Sequence, residues 1–129
     1  MRVLALDAGE ARCGCAVSDP TGTLATPLDV VERPDTRRGL DSLARLVRDR
    51  EIEQVVVGLP LTLGGEEGEQ ARWTRRFAER LAERVEVPVV MHDERLTTRQ
   101  AERTGGSASA DSRAAAHLLE AFLATEAAR

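Results

Sequence analysis

Polar and apolar positions divide the chain into a strand-rich first part and a helix-rich remainder. Residues 2–7 form a largely apolar run that stops at Asp7, the pattern of a buried central strand. Asp7-Ala8-Gly9-Glu10 reads as a turn, and Arg12 to Ser18 reads as the returning strand. Asp19-Pro20-Thr21-Gly22 is a second turn signal. Leu24 to Val31 predicts a third strand, placed at an edge because Pro27 has no N–H to give a ladder. Three strands joined by short turns make an antiparallel meander.

The period then changes. Pro34-Asp35-Thr36 is a helix start, and Leu40, Leu43, Ala44 and Val47 recur at helical spacing to about Arg50. Gln54 to Leu59 is a buried strand stopped by Pro60, and the Gly-rich stretch 61–68 predicts a mobile loop. A long helix follows with Trp73, Phe77 and Leu81 on one face. Val87 to Met91 is the last strand. Thr97 and Gln100 have capping-box spacing for a short helix ending at Gly105-Gly106. Ala115, Leu118, Leu119 and Phe122 give the closing helix its stripe. The order β-β-β-α-β-α-β-α-α predicts an α/β fold: a mixed five-stranded sheet, three antiparallel strands then α-β crossovers, with helices on both faces.

Length and composition narrow the class. A chain of 129 residues fits one domain, spanning 1–129, and needs no disulfide or metal staple to fold. No apolar run approaches the ~20 residues of a membrane span, and the N-terminus reads as a strand rather than a signal peptide, so a cytoplasmic protein without membrane contact is expected. Cys13 and Cys15 fall on one face of a strand and read as small buried thiols. The net charge is −4 and every basic residue other than histidine is Arg. Contact with nucleic acid would therefore rest on local Arg clusters rather than on a basic sheath.

Three carboxylate positions carry the candidate chemistry. Asp7 ends an apolar strand, where a carboxylate must be paired, hydrogen-bonded or metal-bound; a turn Asp bonded to its own loop is the alternative. Asp93-Glu94-Arg95 follows the last strand, where sites collect in open α/β sheets, although a solvated charge cluster gives the same pattern. Asp111 opens the closing helix, either as a cap or, if Ser109 caps, as a free side chain.

Taken together, these residues resemble a known family. Asp7-Ala8-Gly9 with Arg12, Gly14 and Ala16, then Val57-Gly58-Leu59-Pro60, then Asp93-Glu94-Arg95-Leu96-Thr97-Thr98, and finally Asp111-Ser112 before an Ala-rich helix resemble the YqgF/RuvX family of RNase H-like proteins. The resemblance implies an RNase H-like nuclease domain with Asp7, Glu94 and Asp111 as catalytic and metal-ligating triad. It implies processing of the 5′ end of pre-16S rRNA, with Holliday-junction-resolvase-like DNA cleavage as the second activity. Two-metal hydrolysis with Mg²⁺ or Mn²⁺ would follow, since hard oxygen donors suit those ions. Basic residues that such proteins often carry ahead of the last Asp are replaced here by Gly105 to Ala110, which weakens any substrate grip expected there or moves it to Arg113.

Arg95, Arg99 and Arg103 repeat at i, i+4, i+8 from a start beside Glu94, so Arg95 and Arg99 are candidate phosphate contacts, joined by Arg12 and Arg113. The Arg72, Arg75, Arg76 and Arg80 stripe is interspersed with Glu69, Glu79 and Glu83 and reads as a solvated face. His92 and His117 have no partner at ligand spacing. The last strand should lie two spacings from the first, roughly 9–10 Å, so Glu94 must lean over Gly58 to reach Asp7, with Asp93 as the alternative. The partner would be structured RNA or branched DNA, bound by a monomer or a dimer.

Two other classes share parts of the pattern. The actin/sugar-kinase ATPases use the same meander but need two such domains. A non-catalytic RNA-binding or ribosome-assembly factor would keep the fold and the carboxylates without turnover.

Overall fold

A computed structural model describes residues 1–96 and 109–127. The expected short helix from Thr97 to Gly105, with Arg99 and Arg103, lies outside these residues. Strands β1 (Val3–Ala8), β2 (Arg12–Ser18), β3 (Ala25–Pro27) and β4 (Val31–Glu32) come first, followed by helix α1 (Arg37–Asp49) and strand β5 (Gln54–Leu59). Helix α2 (Glu69–Ala82), strand β6 (Val89–Asp93), a 3₁₀ turn (Glu94–Leu96) and helix α3 (Ala110–Ala127) complete the order.

The sheet runs β3-β2-β1-β5-β6, with β4 also paired to β2. β1 and β2 are antiparallel, whereas β1–β5 and β5–β6 are parallel. The mixed sheet with a meander and crossovers is therefore present, with one correction: among the described residues it has six strands, not five. Ala16 faces Pro27, but Cys13 faces Val31, so one residue more lies on the outer strand than on β2 between these pairs. That is a β-bulge, and it divides the single expected strand into β3 and β4. β6 begins two residues later than expected, after Pro88, which cannot donate to a ladder. Within the stretch 61–68, Leu61 bridges Glu67, and the Thr62 and Gly65 N–H groups bond to the Glu66 and Thr62 carbonyls at 2.9 and 2.8 Å, which makes a hairpin.

Strand alternation sends side chains to two cores. Leu4, Leu6, Cys13, Cys15, Val55 and Val57 meet Leu40, Leu43 and Val47 of α1 and Phe77, Ala78 and Leu81 of α2. Val3, Ala5, Ala16 and Val56 meet Ala115, Ala116, Leu118, Leu119 and Phe122 of α3 on the other face. The helices thus cover both faces, and the free thiols of Cys13 and Cys15 are buried together on one. Thr36 starts α1 by accepting the Gly39 N–H at 3.1 Å, and Ser109 starts α3 by accepting the Ser112 N–H at 3.2 Å. No helix among the described residues is long and apolar enough to cross a membrane.

Candidate active site

The pleat decides which carboxylates can meet. Asp7 shares the face of Val3 and Ala5, beneath α3. On β6 the same face carries Val90, a buried His92 and then, beyond the strand end, Glu94. Asp93 has the opposite parity, that of Met91, which packs against the other core. Glu94 therefore stands on the Asp7 side of the sheet and Asp93 does not. Asp93 instead takes the Arg95 guanidinium, with Arg95 Nη2 2.6 Å from Oδ2.

Between Asp7 and Glu94 lies β5, with Gly58 level with His92. A Cβ built on Gly58 would fall 2.6 Å from Glu94 Oε1 and 2.9 Å from its Cγ. The Glu94 side chain thus crosses the sheet through the space that Gly58 leaves and hydrogen-bonds Asp7. Burial, then the Asp7 charge and this bond, raise the Glu94 pKa to about 7. Burial also raises Asp7 above the ordinary carboxylate value, against the lowering effect of the Glu94 bond, and the nearby Asp111 charge adds to it. Two buried carboxylates in contact cannot both ionise cheaply, which is why both are pushed up.

The third carboxylate arrives from the other side. Gly14 pairs with Asp7 across β1–β2, and a Cβ there would fall on the backbone carbonyl of Asp111, with the Ser112 nitrogen at 2.9 Å. Without a side chain at Gly14, the first turn of α3 rests directly on β2. The fully buried Ser112 fixes it there, its Oγ accepting the Cys15 N–H at 3.3 Å. With Ser109 as the cap, the Asp111 side chain is free to project, and its Oδ2 meets Arg12 Nε at 2.8 Å. Both partners of that ion pair are largely exposed, so it contributes little to stability. Among the described residues, no group of three or more His, Cys, Asp and Glu side chains is disposed to hold a metal ion. Asp7 and Glu94 face each other, and Asp111 is turned to Arg12.

The other expected residues are placed less simply. Arg95 is held by Asp93 and donates from Nη1 to the Leu63 carbonyl at 3.2 Å, which ties the 61–67 hairpin to the site. Arg113 is half-buried in the first turn of α3. Arg99 lies outside the described residues. His92 sits edge-on to Phe122, with ring centroids 5.9 Å apart, and its pKa is lowered by burial, in keeping with a packing role. Sequence reasoning missed what Gly14 and Ser112 do. The available signal was a glycine between two buried cysteines, where a strand ordinarily has a side chain.

Gly58→Ala tests the crossing. The atoms it displaces belong to a side chain that can swing away, so the fold should survive while Glu94 leaves Asp7. Misplacement on the order of 1 Å costs roughly 100-fold in rate. The activity that these carboxylates support should fall by about that factor, with the melting temperature within a few degrees of wild type. Wild-type rates in this variant would mean that the contact is irrelevant to turnover.

The family model described as RuvX, Holliday junction resolvase, matches residues 1–125. A protein named "Putative pre-16S rRNA nuclease" from Anaeromyxobacter sp. is 43% identical over 132 aligned positions, covering 95% of this chain and 96% of the relative. One of the same name from Chloroflexus aurantiacus is 46% identical over 101 residues, covering 78% of this chain but 66% of the relative's length. Among solved structures, T. thermophilus RuvC in complex with a Holliday junction substrate aligns with a TM-score of 0.64 at 20% identity, covering 98% and 96% of the two chains. The fowlpox virus Holliday junction resolvase aligns at 0.57 with 11% identity, covering 97% and 99%. At such identities the two structures show a shared fold, the RNase H-like one expected above. The family match over residues 1–125, together with a 43% identical relative aligned along nearly the whole chain, shows that this protein belongs to the RuvX family.

Proposed function

We propose that this protein is a metal-dependent nuclease that hydrolyses phosphodiester bonds, acting on the 5′ end of pre-16S rRNA with Asp7, Glu94 and Asp111 as its catalytic carboxylates. The observation that carries the reading is the reach of Glu94 over Gly58 to Asp7 beside the first turn of α3. A fold gains nothing obvious from pressing two acidic side chains together, whereas a cation site does. The donor set fits a hard divalent ion, because it is made of carboxylate oxygens alone and a cation would relieve the repulsion that raises Asp7 and Glu94. Asp7, Glu94 and Asp111 would hold Mg²⁺ or Mn²⁺, which when bound would neutralise and polarise the reacting phosphodiester and lower the pKa of the attacking water.

The chain's own groups supply the rest. Glu94 holds or releases a proton near neutrality, so it can stand ready as ligand or proton acceptor at working pH. Arg12, released when Asp111 turns to a cation, would face a substrate phosphate. The RNA reading follows the names of the relatives, and the family description favours a second substrate, four-way DNA junctions.

The test is cleavage of a 5′-extended 16S leader RNA and of a four-way DNA junction by purified protein with Mn²⁺, beside an Asp7→Asn control. Cleavage of the RNA by wild type alone is expected. The rate at limiting metal should rise with pH through about 7 as Glu94 loses its proton, and this midpoint should fall as metal is raised. Cleavage of the junction alone would assign the second substrate. Cutting of neither would reduce the protein to a binding factor.

A further inference from the structure

The 61–67 hairpin follows β5 at the site's end of the sheet and carries the most exposed large apolar side chain among the described residues. Leu63 is 92% exposed. Single exposed leucines are ordinary on protein surfaces, but not usually on a turn held this firmly. The Leu61–Glu67 bridge closes the hairpin, and the Thr62 hydroxyl accepts the Glu66 N–H at 3.1 Å. Three arginines then clamp it. Arg95 donates to the Leu63 carbonyl at 3.2 Å, Arg72 to the Glu67 carbonyl at 3.1 Å, and Arg75 pairs with the Glu67 carboxylate at 2.6 Å. Arg95 is also the neighbour in sequence of Glu94, so the tip is braced from the candidate site itself.

We propose that Leu63 is a wedge that enters the base stack of a paired nucleic acid beside the scissile phosphate, with the arginine-clamped hairpin as its rigid mount. The inference rests on the nuclease reading above and adds the element that would select the cutting position. A wedge needs an apolar tip, because it replaces a base in the stack, and a stiff support, because unstacking one step costs a few kcal/mol. Arg95, whose Nη1 lies 3.2 Å from the Leu63 carbonyl, is the guanidinium nearest the tip and the one placed for a flanking phosphate. A protein partner would need a continuous apolar patch, whereas a single leucine on a braced turn offers one insertion point. Arg95 is then a positioning residue as well as a candidate phosphate contact: through the Leu63 carbonyl it fixes the wedge relative to Glu94.

The experiment places 2-aminopurine at the base step beside the expected cut, in an RNA hairpin and in a four-way DNA junction. Fluorescence rises when that base is unstacked. Wild type should raise the signal in whichever substrate it cuts, and Leu63→Ala should remove most of the rise. Leu63→Ala should also lower the ratio of paired to single-stranded cleavage about tenfold, and Leu63→Met should restore it. The melting temperature, read in parallel, should not move, because the side chain touches solvent. Equal fluorescence for wild type and Leu63→Ala, or no rise with wild type, overturns the wedge. Absence of cleavage by wild type with a Leu63-dependent rise intact would overturn the nuclease reading and leave the wedge standing.

Discussion

Asp7→Asn is expected to lower metal-dependent cleavage by at least about 10³-fold, since a divalent ion supplies several kcal/mol to phosphodiester hydrolysis and each 1.4 kcal/mol is a factor of ten. The same variant has an opposite effect on the metal-free fold. Glu94 titrates near 7 in the folded protein, against an ordinary value of 4.5. Between those values the folded state binds the extra proton, so the stability that this proton confers is full below about 4.5 and is lost as pH rises to about 7. Above that range Asp7 and Glu94 repel each other. Asn at position 7 removes the repulsion, so the variant should melt higher than wild type at pH 8 and close to it at pH 5. One unit of pKa shift corresponds to ~1.4 kcal/mol, reduced here because the pair is partly solvated, so a gain of a few degrees is expected. Millimolar Mn²⁺ should raise the wild-type melting temperature and leave Asp7→Asn unmoved. A plain turn role for Asp7 predicts the reverse: a variant less stable without metal, and no response to metal in either protein.

Gly14→Val should be the most damaging single change to the fold. Its Cβ would fall on the Asp111 carbonyl and 2.9 Å from the Ser112 nitrogen, and backbone cannot swing aside. Helix α3 would have to lift from β2, breaking the bond from Cys15 N–H to Ser112 Oγ and loosening Ala115, Ala116, Leu119 and Phe122 against Ala5 and Ala16. Overpacking of this kind costs about 1–3 kcal/mol or more, roughly 5–10 °C in a domain this size. Because Asp111 rides on the displaced turn, cleavage should fall as well. Gly58→Ala is the contrast. The two variants together separate a glycine that admits a helix from one that admits a side chain. Thermal melts and a cleavage assay on both give the comparison. A Gly14→Val protein with wild-type stability would show that α3 does not rest on β2 as described.

The bulged edge, the hairpin and the choice of Glu94 mark where sequence ceased to be sufficient. Strand alternation and helical period gave the order of elements, since both are local properties of the chain. They placed β5 at its observed bounds, put Cys13 and Cys15 on one face and identified the stripe of α3. Asp7, one residue before the end of β1, was legible for the same reason. The split of the third strand was only half legible. Pro27 signalled an edge, but the extra residue is defined by register against β2, a relation between distant segments. Likewise, no local pattern chose between Asp93 and Glu94. The start of β6 after Pro88 and its register on β5 assigned them to opposite faces.

The sequence by itself therefore determined the inventory: the strand and helix order, the carboxylates at element ends, and the family-like motif blocks. Tertiary structure alone decided which groups approach one another. It carried Glu94 across Gly58 to Asp7, seated the first turn of α3 on Gly14, and turned Arg95 toward Asp93 and the Leu63 carbonyl rather than leaving it free on a helical stripe. The physical reason is range. Propensity and periodicity act over a few residues, whereas the raised pKa of Glu94 depends on burial and on the Asp7 charge, 87 positions away in sequence, which come together only once the sheet has formed.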